Sequence, residues 1–302
     1  MHKTMRIPRK YKLWRYPLGC KIYYGIMSWL NKPYLSIKYW INANTFVWDY
    51  KIKSYNWGDY VNLVLAGFVS NKKVFPYQYV KSKNTIAMMG SILPWAIDEN
   101  TIVWGSGCLD SNDPLWQNIN KPKQVLAVRG PLTRNVLLKH DIDCPEIYGD
   151  PALLFPRYYY PKDRKKYQYG VILHASTYIT ETIISKVKTI YGNSVLLINP
   201  KKFNQWNEFI DSILSCENIL SSSLHGIIIS DAYQIPSVWI SVTNKEHPDN
   251  NFKFKDYYLS VGKETSNPID FANKPQIINA LHTWKEPVID LDRLLEVCPL
   301  NK

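Results

Sequence analysis

The sequence predicts an α/β protein made of two doubly wound parallel-sheet units, residues 45–156 and 170–270. Three observations predict it. Short β-branched runs recur, several of them continuous rather than alternating, as in parallel strands covered on both faces. Segments with apolar residues at helical spacing lie between those runs. A Pro-, Tyr- and Lys-rich stretch from Pro156 to Tyr169, with neither period, divides the chain, and residues 157–169 read as a linker.

In chain order, residues 1–44 stand apart as a basic, aromatic extension, for example Lys10-Tyr11-Lys12-Leu13-Trp14-Arg15-Tyr16. That composition suits a segment lying against an anionic membrane face. A packed helix or a solvated arm is the plainer reading of it. The first unit has strands expected at Thr45–Trp48, Thr101–Trp104 and Val125–Val128. The second has them at Val171–His174, Val195–Ile198, Asn218–Leu220 and Ser237–Val242. Ile179, Ile183, Ile184, Val187 and Ile190 repeat at helical spacing, as do Trp206, Phe209, Ile210, Ile213 and Leu214. Residues 271–302 carry a further helical pattern at Ile277, Ile278 and Leu281. A last helix near Leu291–Val297 is placed to cross back onto the first unit.

Composition narrows the partners. The 37 Lys and Arg against 25 Asp and Glu leave a formal charge of +12, which favours anions. No zinc-finger, RNP or helix-turn-helix signature accompanies it, so nucleic acid is not an expected partner. The five cysteines are widely spaced and lack metal-ligand spacing, which points to free thiols, a reducing cytoplasm and no metal centre. No signal peptide is legible, and no apolar run approaches the roughly 20 residues of a membrane-spanning helix. A soluble protein is expected, at most attached to the inner face of a membrane through residues 1–44.

Four turns at strand ends carry candidate chemistry, because helix N-termini that follow them present free N–H groups to anions. In Ser221-Ser222-Ser223-Leu224-His225-Gly226, the hydroxyls of Ser222 and Ser223 cap a helix or bind an oxyanion, and His225 exchanges protons near neutral pH. Taken alone, His225 reads as a packing residue at a capped helix start before it reads as a catalytic one. In Asn56-Trp57-Gly58-Asp59, Asp59 serves either as an acceptor-orienting base or as part of an Asx turn, with Asn56 and Trp57 as its neighbours toward an acceptor. Gly105, Ser106 and Gly107 in Trp104-Gly105-Ser106-Gly107 allow close backbone approach to a ligand, although the turn alone is an ordinary loop. In Val128-Arg129-Gly130-Pro131-Leu132-Thr133-Arg134, both arginines suit an anion; Arg129 ends a strand, where a buried charge needs a partner, and Arg134 fits a solvated helix face as well.

These turns, in this order and with Gly149-Asp150-Pro151-Ala152 and Lys253-Phe254-Lys255-Asp256-Tyr257-Tyr258, resemble the polysaccharide pyruvyl transferase family over about residues 45–265. The resemblance implies two Rossmann-like domains facing a cleft, in the manner of GT-B glycosyltransferases. It implies phosphoenolpyruvate as donor substrate, no cofactor, and a sugar diol of a surface polysaccharide or its lipid-linked precursor as acceptor. The product is a cyclic pyruvate ketal. It implies His225 as general acid, Arg129 as the donor's counter-charge and Asp59 as the group that orients or deprotonates the acceptor. Gly105, Ser106, Gly107, Ser222, Ser223 and Arg134 would hold donor oxygens. Ser223 stands where many members have arginine. A nucleotide-sugar glycosyltransferase and a non-catalytic glycan binder are the competing readings on the same fold.

Overall fold

The computed structural model describes residues 46–47, 56–71, 74–76, 84–162, 165–177, 179–242 and 251–300. The extension 1–44, the membrane contact assigned to it and Cys20 lie outside the described residues. Cys108, Cys144, Cys216 and Cys298 are free and buried.

Two five-stranded sheets organise the described chain, and every strand pair in them is parallel. The first holds β1 (Phe46–Val47), β2 (Phe75–Pro76), β3 (Thr85–Ala87), β4 (Thr101–Trp104) and β5 (Gln124–Ala127), in the order β2-β1-β3-β4-β5. The second holds β6 (Tyr167–Ile172), β7 (Val195–Ile198), β8 (Cys216–Ser221), β9 (Ser237–Ser241) and β10 (Ile269–Asp270), in the order β10-β9-β8-β6-β7. Numbered within its own sheet, each reads 2-1-3-4-5. In such an order the chain reverses direction across the sheet between its first and third strands, and ligands bind beyond the carboxyl ends of those two strands.

The helices are α1 (Trp57–Ser70), α2 (Pro131–Lys139), α3 (Glu181–Tyr191), α4 (Glu208–Leu214), α5 (Leu224–Ala232), α6 (Phe252–Ser260), α7 (Lys274–His282) and α8 (Leu291–Glu296). Their starts follow local chemistry. Pro131 occupies the first position of α2, where its missing N–H costs nothing. Thr180 accepts from the Ile183 amide to cap α3. Asp59 sits in the first turn of α1, where a carboxylate complements the helix dipole.

The largest apolar core is shared between the sheets. It joins α1, the 3-10 turn Pro151–Arg157, α4, α5, α6 and α8, with Trp57, Phe155, Trp206 and Phe209 among its side chains. Smaller clusters cover the far faces of each sheet. Helix α8 lies against β4, since the Trp104 indole donates to the Leu294 carbonyl at 2.9 Å.

Two differences from the sequence expectation have simple causes. Strand β6 starts at Tyr167, inside the stretch read as linker, because the amides of Tyr167 and Gln168 find carbonyls at Ser215 and Ser194. Strands β2, β3 and β10 were not expected: each is two or three residues long, too short for a period to show.

Candidate functional site

One cleft of about 600 Å³ lies beyond the carboxyl ends of both sheets. The loop after β3 contributes Gly90, Ser91, Ile92 and Trp95, and the start of α1 contributes Asn56 and Asp59. The turn after β6 supplies His174 and Ser176, and the turn after β8 supplies Ser223 and His225. These are the reversal points of the two sheets, so the topology itself places the cleft.

His225 opens α5, which follows β8 directly. Its Nε2 is shielded from solvent and has no hydrogen-bond partner among the described residues. Burial, then the positive charges of Arg129 and Lys253, hold its imidazole down to about 4. At neutral pH the imidazole is therefore uncharged, so the expected general acid does not stand ready with its proton. A ligand anion beside it offsets all three causes.

Gly58 makes room for that ring. A Cβ there would fall 2.2 Å from His225 Nδ1. Alanine in a helix normally gains about 1 kcal/mol over glycine, but this collision reverses the sign. Gly58→Ala is expected to lower the melting temperature and to cut turnover at least tenfold by displacing His225. Melting curves and kinetics check it; unchanged kinetics would mean that the contact is inconsequential.

Arg129 is completely buried and already engaged. Its Nε donates to Asp256 Oδ2 at 3.0 Å, Nη1 to Ser91 Oγ at 2.6 Å and Nη2 to the Cys108 carbonyl at 2.7 Å. Asp256 also accepts from the Thr133 amide at 2.9 Å and hydroxyl at 2.7 Å. The guanidinium therefore reaches the cleft as one half of an ion pair, and its charge is largely matched. Lys253, nearly buried in the first turn of α6, brings a second cation to the cleft. A lysine against the positive end of a helix is unfavourable by itself and favours an anion between them. Asp150 lines the cleft too, and burial pushes its carboxyl up to about 6 although the Ala152 amide and Arg129 oppose this.

Of the residues singled out from sequence, the fold brings His225, Asp59, Arg129, Asn56 and Ser223 together. The others sit elsewhere. Trp57 is fully buried, stacked on Phe209 at 4.6 Å and donating to the Trp206 carbonyl at 2.6 Å, so it holds the two sheets' elements together and meets no acceptor. Ser106 donates to the Gly90 carbonyl at 3.0 Å, and Gly105 packs on Pro151. A Cβ on Gly107 would lie 2.4 Å from Arg129 Cζ, so this glycine admits the guanidinium rather than a ligand. The Ser222 hydroxyl accepts from the His174 amide at 2.9 Å and joins the two turns. Arg134 pairs with Glu146 at 3.3 Å in a different depression, with Lys121 and Lys123. These six support the site from behind or lie away from it.

Lys253, Ser91 and Lys201 were not singled out as site residues. Lys253 had one signal, since it lies within a segment carrying the family resemblance, whereas Ser91 and Lys201 sit in loops with no local pattern. His174 follows a strand, a position that predicts a place in the cleft, and it lines that cleft; its Nδ1 accepts from the Ser176 amide at 3.2 Å, which puts the neutral ring's proton on Nε2.

Comparison with known proteins identifies the family. The family described as polysaccharide pyruvyl transferase matches residues 22–244 and so begins inside the segment read as an extension. An uncharacterized protein of Acanthamoeba polyphaga mimivirus is 26% identical over 246 residues, 76% of this chain and 83% of that protein. The succinoglycan biosynthesis protein ExoV of Rhizobium meliloti (strain 1021) is 29% identical over 218 residues, 68% of this chain and 62% of its own length.

Proposed function

The chain belongs to the polysaccharide pyruvyl transferase family, and from that premise we propose that its cleft moves the pyruvyl group of phosphoenolpyruvate onto a sugar diol and closes a cyclic ketal. One observation carries the reading: His225, Asp59, Arg129 and Lys253 converge on a single cleft at the reversal points of both sheets.

The chemistry needs a proton at the donor's methylene carbon, cations for its carboxylate and phosphate, and a base for two hydroxyls. Lys253 and the Arg129–Asp256 pair receive the anion. Its charge raises the proton affinity of His225, which then carries a proton to the methylene carbon and leaves C2 electrophilic. Asp59 orients the first sugar hydroxyl, which adds to C2 and gives up its proton. The second hydroxyl forms the other C2–O bond as phosphate departs. Of the two hydroxyl protons, one balances the new methyl group and the other leaves with phosphate. Ser223 and the first turn of α5 offer hydrogen bonds to the departing oxygens.

On this reading the two sheets belong to two domains facing the cleft as in GT-B glycosyltransferases. The acceptor is a surface polysaccharide unit or its lipid-linked precursor, met in the cytoplasm at the membrane face with residues 1–44 against the lipid. Among the described residues no helix is long and apolar enough to cross a membrane.

Thermal-shift titration tests the donor. Phosphoenolpyruvate is expected to raise the melting temperature, and a panel of UDP- and GDP-sugars is expected to leave it unmoved. Stabilisation by a nucleotide sugar alone would replace the proposal with a glycosyltransferase.

A further inference from the structure

The walls of the cleft differ in charge. The lining residues between positions 56 and 150 include Asp59, Asp110, Asp113 and Asp150, with Arg129 as the one cation among the described residues, and that cation is paired with buried Asp256. Those between positions 174 and 253 include His174, Lys201, His225 and Lys253 and, among the described residues, no carboxylate. A donor with a carboxylate and a phosphate is held by Lys253, Lys201 and the Arg129–Asp256 pair and is repelled by Asp110 and Asp113. The acidic wall is left for the other substrate.

That wall is built for a neutral polyol. Asp110 Oδ1 accepts from the Asn112 amide at 2.9 Å, and Asp113 Oδ1 accepts from the Leu115 amide at 2.9 Å. Each carboxylate is thus oriented by backbone through one oxygen and keeps acceptor capacity for hydroxyl groups. Trp95 lines the same wall, half-buried. An aromatic face beside a few fixed polar groups matches a pyranose ring, which is apolar on its C–H face and a hydrogen-bond donor at its rim. A cation site is less well served, since among the described residues no three His, Cys, Asp or Glu side chains gather closely enough to hold a metal ion.

We propose that Trp95, Asp110 and Asp113 form the acceptor-sugar subsite, the indole under the ring and the carboxylates on its hydroxyls. The proposal rests on the pyruvyl-transfer reading for its chemistry and on the division of charge for its location.

The test uses the full chain with Trp95→Ala, Trp95→Phe, Asp110→Asn and Asp113→Asn, and a panel of p-nitrophenyl hexopyranosides as acceptors. Phosphate release from phosphoenolpyruvate gives KM for both substrates. Trp95→Ala and the two asparagine variants are expected to raise the acceptor KM about tenfold or more and to leave the phosphoenolpyruvate KM within about twofold. Trp95→Phe, which keeps a ring, is expected to lie between. Saturation-transfer NMR with the same glycosides, without phosphoenolpyruvate, reads binding alone. The wild-type protein is expected to show transfer to the ring protons, and Trp95→Ala to lose it. Transfer lost in the variant without any phosphate release by the wild type upholds the subsite and sinks the pyruvyl reading. An unchanged acceptor KM, a phosphoenolpyruvate KM that moves instead, or transfer to no member of the panel overturns the subsite.

Discussion

Asp256→Ala is expected to lower the free energy of unfolding by about 3–5 kcal/mol, the usual consequence of leaving one member of a buried ion pair without its partner. Both side chains of the Arg129–Asp256 pair are fully buried, so water cannot take over the lost contacts. The variant also strands the Thr133 amide, which donates to the same carboxylate. Against a total stability of about 5–15 kcal/mol, such a loss is a large fraction. Urea denaturation measures it. The double variant Arg129→Met, Asp256→Leu is expected to recover part of the stability, because it removes both charges and keeps the volume but leaves the Thr133 amide without its acceptor. It is also expected to be inactive, which would separate the pair's place in chemistry from its place in folding. If Asp256→Ala unfolds at the wild-type urea concentration, the pair does not organise this corner of the cleft.

The second large effect is at His225. His225→Ala is expected to reduce turnover by about 10²–10⁴-fold, the range for loss of a proton-transferring side chain. Its effect on stability depends on pH with a definite sign. The folded imidazole takes up its proton near pH 4 and the unfolded one near 6.5. Between those values the unfolded chain binds more protons, so stability falls as the pH drops through the window. The contribution is on the order of 3 kcal/mol at full extent. Asp150 works in the opposite direction, since its folded carboxyl holds its proton up to about pH 6 and the unfolded one releases it near 3.8. The wild-type curve therefore mixes the two. The difference between wild-type and His225→Ala unfolding curves, taken from pH 4 to 7, isolates the histidine. A flat difference would show that the imidazole is not held neutral by its surroundings. Added phosphoenolpyruvate is expected to shrink the difference, because a bound anion restores the proton affinity of His225.

Much of the site was legible before the fold was known, and particular residues show why the rest was not. His225 and Arg129 follow strand ends, which can be found from runs such as Thr101-Ile102-Val103-Trp104, and Asp59 lies in the first turn of a helix. Trp57 sits beside Asp59 in sequence yet is buried on the other side of its helix, since neighbouring helix positions face different directions. Lys201 is exposed in the loop after β7 and lines the cleft, and β7 pairs with β6, whose following turn also lines it.

The sequence by itself determined the alternation of strands and helices and the polar turns where chemistry can occur. Both are local properties, set by the period of apolar residues and by the backbone preferences of glycine, proline and serine. The tertiary structure decided which turns share one cleft and what charge each wall carries. It paired Arg129 with a carboxylate 127 residues away and set the charge of Lys253 beside His225. Contacts across such separations leave no period in the chain, because they depend on how two sheets pack and not on the neighbours of either residue.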